Sequence, residues 1–179
     1  MARVHADGLA RCEWLNNDPL YIDYHDNEWG TPLSGDNAMF ERLSLEGFQA
    51  GLSWLTILKR REGFRKAFHD FDLQRVATMS PKDVDRLLKF EGIIRHRGKI
   101  ESTIKNANLA LELDSGLEKF VLGFTPIEDR RGLTLSPEST ALSKALRKLG
   151  FGFVGPTTMH AFMQATGMIA DHDLDCFKS

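Results

Sequence analysis

The chain has 179 residues, of which 42% are hydrophobic and 27% charged, with a formal net charge of -2 and two cysteines. That length suits one compact domain burying about two-thirds of its unfolded surface, and no apolar run approaches the ~20 residues that would cross a bilayer. The slight acidic balance excludes a globally basic nucleic-acid binder, so any such contact must come from a local surface. The opening "MARVHADGLA" lacks the apolar core of a secretory signal, which leads us to expect a cytoplasmic protein in which disulfides are disfavoured.

In chain order, a break at "NNDP" (Asn16 to Pro19) is followed by "DYHDNEWG" (Asp23 to Gly30), polar and aromatic and ahead of any clear helix. A helix is predicted to start at Asp36 and run through Phe40 and Leu43. Trp54, Ile57, Phe64 and Phe68 recur at the three-or-four spacing of one apolar helical face. Ser80-Pro81, a capping residue followed by a proline suited to the first turn, opens a helix carrying Val84, Leu87 and Leu88. Ile100, Ile104, Ala107 and Leu111 mark the next. Leu142, Ala145, Leu146 and Leu149 mark another, and Met159, Phe162, Met163 and Thr166 the last. The turns fall at "WGTPLSGD", "EGIIRHRG", "EDRRGLTLSPE" and "GFGFVGP", with the loop around Arg130 expected to be the most mobile segment. No stretch sustains period-two alternation, so the expected fold class is all-α.

Four patterns carry chemistry. "KRREGFRK" (Lys59 to Lys66) holds five basic residues and one acid; it is either a solvated helix face or a local nucleic-acid-binding surface. "EGIIRHRGK" joins two predicted helices, and a glycine-bounded turn at a helix start offers free N–H groups, the positive end of the dipole and arginine charge, which together cradle phosphate. Glu46, in "LEGFQAGLSW", lies on a helix end that otherwise reads as buried; a carboxylate there braces a neighbouring loop or faces a ligand, because desolvating an unpaired charge is costly. His172 and Cys176 stand one helical turn apart in "DHDLDC", and Cys12 and His25 form a second pair at the loose spacing Cys-x12-His. Together they make a two-sulfur, two-nitrogen set for a tetrahedral metal, with two free thiols or a Cys12–Cys176 disulfide as alternatives.

The blocks "RCEW", "DPLYIDYHDNEWG", "LEGFQAGLSWLTILKRRE", "GIIRHRGKI", "LSKALRKLGFGFVGPTT", "FMQATGM" and "DHDLDC" occur in series from Arg11 to about Cys176. In these the chain resembles the bacterial 3-methyladenine DNA glycosylase I family of helix-hairpin-helix DNA glycosylases. The resemblance implies one structural zinc ion on Cys12, His25, His172 and Cys176. It implies a base pocket at Tyr24, Glu46 and Trp54, with Glu46 the catalytic residue. It implies a hairpin holding the DNA backbone at Gly92, Ile93, Ile94, Arg95, His96, Arg97, Gly98 and Lys99, and a lesion-facing tip at Gly51 and Leu52, with Leu52 a candidate wedge. Residues 1–179 then form one catalytic unit: a helix-hairpin-helix region at 36–150, with terminal segments 11–35 and 151–176 tied by the zinc.

The implied reaction is hydrolytic excision of 3-methyladenine from alkylated double-stranded DNA by a monomer, leaving an abasic site and the strand intact, since no lysine lies within the pocket motifs to form a Schiff base. Two departures stand out. Ala161, preceded by Met159 and His160, stands where the family usually carries an aromatic residue before "FMQA", and Asp114 in "LELDSG" lacks the setting of the aspartate that the wider superfamily places after its hairpin. Two rival readings are a nucleic-acid-binding module without activity and a zinc hydrolase of small molecules.

Overall fold

A computed structural model describes residues 1–179, and helices account for nearly all of its regular structure. The one exception is a short antiparallel pair, Arg3–Val4 with Ala10–Arg11. Helix α1 (Pro19–Asn27) starts where Asp18 accepts a hydrogen bond from Leu20 N and proline fills the first helical position. The central helix α2 (Asp36–Gln49) follows Gly35, and the Asp36 carboxylate accepts from Glu118 N at 2.9 Å, which ties it to a later helix.

Helices α3 (Trp54–Leu58) and α4 (Arg61–Ala67) follow, then α5 (Leu73–Ala77), α6 (Pro81–Leu87) and α7 (Arg97–Leu111). Helix α8 (Leu117–Leu122), α9 (Pro137–Leu149) and α10 (Pro156–Ala165) complete the fold. Ser80 with Asp83 and Ser136 with Ser139 form capping boxes at the starts of α6 and α9.

A cluster of 33 buried apolar residues makes one core around α2. Phe48 of α2 packs against Phe64 of α4, ring centroids 4.6 Å apart, and Phe40 against Phe71 at 6.0 Å. Gly63 of α4 meets Gly92 so closely that a Cβ on Gly63 would overlap the Gly92 carbonyl. The α6–α7 connection is thereby pressed onto the core through two glycines. No helix is long and apolar enough to cross a membrane.

The structure corrects the sequence reading in two places. "DYHDNEWG" does not precede the first helix, because α1 already contains Tyr24 and His25. The apolar face from Trp54 to Phe68 is split between α3 and α4, which break at Lys59–Arg60, with a 3-10 turn at His69–Phe71 beyond. In the Arg130 loop the guanidinium pairs with Glu138 at 2.6 Å and Glu128 at 2.7 Å, while Ile127 beside it is fully exposed.

Candidate active site and metal centre

A cavity of about 200 Å³ opens between α1, the end of α2, the start of α3 and the end of α10. Its aromatic walls are Trp14, Tyr21, Tyr24, Trp29 and Trp54; Glu46, Gln49, Gln164 and Asp171 supply polar groups, and Ala161 a small face. The volume is below the ~300–1,000 Å³ of a site for drug-sized ligands and suits one flat ring system. Tyr21 and Tyr24 sit one turn apart on α1 with ring centroids 6.3 Å apart, and Tyr24 lies 5.5 Å from Trp54. Trp14 fills the gap, 5.1 Å from Tyr21 and 5.0 Å from Trp29.

Glu46 projects into this wall from α2 and is 3% exposed. No protein group donates a hydrogen bond to it, and burial pushes its pKa up to about 7, with the positive charge of Arg42 opposing the shift. A buried carboxylate left without protein donors is destabilising unless something else satisfies it. Arg42 instead donates to the Tyr24 hydroxyl at 2.6 Å.

The four metal-ligand candidates converge. One donor atom from each of Cys12, His25, His172 and Cys176 lies within 4.8 Å of the other three, in a largely buried cluster. Cys12 Sγ is 3.4 Å from His172 Nδ1, and Cys176 Sγ is 3.5 Å from His25 Nε2 and 3.7 Å from His172 Nδ1. The outer ring nitrogens are held as well: His25 Nδ1 contacts Asp26 at 2.8 Å and His172 Nε2 contacts the Trp29 carbonyl at 3.3 Å. Such outer partners fix ring orientation and tautomer around metals. Both cysteines are free, and burial pushes the Cys12 thiol up to about 12. The cluster can therefore hold a metal ion, whose charge would offset the cost of ionising two buried thiols.

Metal cluster and cavity share walls. Tyr24 precedes His25, Asp171 precedes His172, and Trp29 lines the cavity while its ring packs edge-on against His172 at 4.7 Å.

Beyond the cavity, residues 88–96 join α6 to α7. Ile93 is buried and anchors the turn, while Arg95, His96 and Arg97 are exposed and the backbone N–H groups of Gly92, Ile94 and Gly98 have no protein acceptor. His96 caps α7 by accepting from Lys99 N at 3.2 Å. Lys99 departs from the expected surface role: it is 8% exposed, and its ammonium donates to the carbonyls of Phe48 and Ala50, both at 2.8 Å. It satisfies the C-terminal end of α2 and so fixes the hairpin to the helix carrying Glu46. Just past that end, Gly51 turns at φ +84° and Leu52 stands 40% exposed. The basic run at Lys59 to Lys66 is largely occupied by acids: Lys59 pairs with Asp18, Arg61 with Glu28 and Arg65 with Glu41.

Residues 14–179 match the family model described as methyladenine glycosylase. The chain belongs to the methyladenine glycosylase family. It is 49% identical to DNA-3-methyladenine glycosylase 1 of Escherichia coli over 180 residues, covering 94% of this chain and 96% of that protein. It is 44% identical to DNA-3-methyladenine glycosylase of Haemophilus influenzae, covering 93% and 96%. Among solved structures, a tyrosine-to-phenylalanine variant of 3-methyladenine DNA glycosylase I in complex with 3-methyladenine superposes with a TM-score of 0.87 at 36% identity, covering 93% and 96%.

Within this methyladenine glycosylase, Tyr24, Glu46 and Trp54 meet around one cavity, and Cys12, His25, His172 and Cys176 meet in one cluster. Sequence reasoning missed Trp14, Tyr21, Trp29, Gln49, Gln164 and Asp171. Tyr21 was within reach, because three residues before Tyr24 is the same helical face once α1 is recognised. The departure at Ala161 resolves simply: alanine lines the cavity, while His160 turns inward to the Leu133 carbonyl at 2.7 Å.

Proposed function

We propose that the chain is a monomeric DNA glycosylase that extrudes 3-methyladenine from alkylated double-stranded DNA and hydrolyses its N-glycosidic bond. One observation carries this reading: a buried carboxylate without protein donors, Glu46, faces a cavity sized for one base and walled by aromatic rings. Extruding a nucleotide costs a few kcal/mol, least for a damaged base. Stacking on Tyr24 and Trp54 returns roughly 1–3 kcal/mol per ring. Alkylation at N3 makes adenine cationic, which improves both its attraction to electron-rich rings and its quality as a leaving group. Glu46 as a carboxylate accepts hydrogen bonds from the cationic base, discriminates against neutral adenine, and steadies the charge that develops on the sugar. Water adds at C1′ and the base leaves. No lysine lines the cavity, so there is no amine for a Schiff base, and the strand stays intact.

Residues 36–150 supply a helix-hairpin-helix region in which Gly92 to Gly98 grip phosphate, and Leu52 fills the gap left by the extruded base. The metal is zinc and structural. Bonds of about 2.3 Å to sulfur and 2.0 Å to nitrogen in a tetrahedron place S and N roughly 3.5 Å apart, which agrees with the 3.4–3.7 Å separations found here. With four protein donors it leaves no open position, and it ties segments 11–35 and 151–176 into the same unit, 1–179.

The reading is tested by single-turnover release from methylated duplexes run beside a strand-cleavage gel. Glu46→Gln and Trp54→Ala should each slow release at least tenfold with no nick from the wild type; wild-type rates in both variants would place the site elsewhere.

A further inference from the structure

Arg42 is the one buried cation beside the aromatic wall. It lies one turn before Glu46 on α2, so the two side chains share a helical face. It is 6% exposed and does not line the base cavity. It lines a second cavity of about 150 Å³, with Glu28, Arg61 and Trp54, so Trp54 is the partition between the two spaces. Its guanidinium carbon is 5.2 Å from the Tyr24 ring centroid and 5.4 Å from that of Trp54, and Nη1 donates to the Tyr24 hydroxyl. Glu28 lies 3.8 Å from its other end but is itself taken up by Arg61, at 2.5 and 2.9 Å. Arg42 is therefore only partly neutralised.

We infer that Arg42 is a positioning residue of the base site: from behind the aromatic partition it fixes the Tyr24 hydroxyl and supplies the positive charge that favours the carboxylate form of Glu46 against its burial. This rests on the glycosylase reading above and adds to it the group that sets the charge of the pocket. The other groups facing Glu46 do not compete for the role. Tyr21 and Tyr24 on α1 are uncharged, with burial raising the pKa of both, and Asp171, following α10, is held at 2.5 Å by both Gln164 Nε2 and Gly132 N. Arg42 alone among the facing groups brings positive charge, and it opposes the burial that favours the protonated acid.

An opposite charge within ~4–6 Å of a carboxyl lowers its titration midpoint by about 1–3 units. In Arg42→Met the Glu46 midpoint should rise by about one unit or more. Release then falls roughly tenfold at pH 6.5 and recovers towards the wild-type rate by pH 9. Glu28→Gln, which frees Arg42 and Arg61 from their counter-charge, should move the midpoint the other way. A merely structural role would lower the rate equally at every pH. Both variants and the wild type are compared by carbon-13 NMR titration of the Glu46 carboxyl in the free protein and by the pH profile of single-turnover release. Opposite shifts in the two variants support the proposal. If Arg42→Met does not fold, Glu28→Gln alone decides: a downward shift supports the proposal, and no shift or an upward one overturns it. A wild type that releases no base overturns the glycosylase reading, while the NMR titration still decides whether Arg42 controls the charge of Glu46.

Discussion

Glu46 should make the folded protein lose stability as the pH rises, which is the reverse of most carboxylates. Burial holds its pKa at about 7 against an ordinary 4.5. Between those values the folded state keeps a proton that the unfolded chain releases, so stability is greatest at low pH and falls as pH climbs through 7. At 1.36 kcal/mol per unit, the full difference is about 3 kcal/mol, of which about 2 kcal/mol is expressed between pH 5.5 and 8. Glu46→Gln removes the titration and keeps the shape. Urea unfolding of both proteins at several pH values isolates the effect, because every other ionisable group cancels in the difference. The stability of Glu46→Gln relative to wild type should therefore increase by about 2 kcal/mol across that interval, while base release is lost. A difference that stays flat with pH would refute the claim of a buried carboxyl without protein donors. Such a variant, more stable and less active at pH 8, is the signature of a site that sacrifices stability for chemistry.

Three further outcomes follow from the clasp, the hairpin and their anchor. Cys176→Ser should fall below one zinc per chain by metal analysis; a loss of about 3 kcal/mol would lower the melting midpoint by roughly 6–12 °C, and an unchanged midpoint would separate the cluster from folding. Lys99→Met should cost about 1–3 kcal/mol in urea unfolding by stranding the Phe48 and Ala50 carbonyls, whereas a neutral effect would show water replacing the ammonium. Arg95→Ala should reduce the slope of log K against log salt for duplex binding by about one. Arg97→Ala should change it less, because Asp85 and Glu101 already hold that guanidinium at 2.6 and 3.2 Å; equal, unaltered slopes would remove the hairpin from the interface.

The helical class was legible because apolar spacing dominates long segments such as α7 and α9. Helix α1 was not, since its buried face consists of Tyr24 and His25 rather than aliphatic residues, although Asp18-Pro19 announced its start. The α3–α4 break carries no glycine or proline, so periodicity ran through it. The metal cluster was only partly legible: with two cysteines and six histidines, spacing left free thiols and a disulfide open, and the family resemblance selected the four donors. Trp14, Gln164 and Asp171 were not reachable, because nothing local links three distant segments that only the fold brings to one cavity. Lys99 shows the opposite failure: a lysine in a basic motif looks like a surface cation, and only its buried position shows the ammonium serving the α2 carbonyls.

The central claim is that Glu46 and the aromatic walls select a methylated, cationic adenine and release it by hydrolysis. Chromatography of the bases freed from methylated duplex DNA tests it most directly. The account predicts 3-methyladenine in the soluble fraction with wild-type protein, nearly none with Glu46→Gln, and intact abasic strands. Tight binding of an abasic duplex with no base released would contradict it.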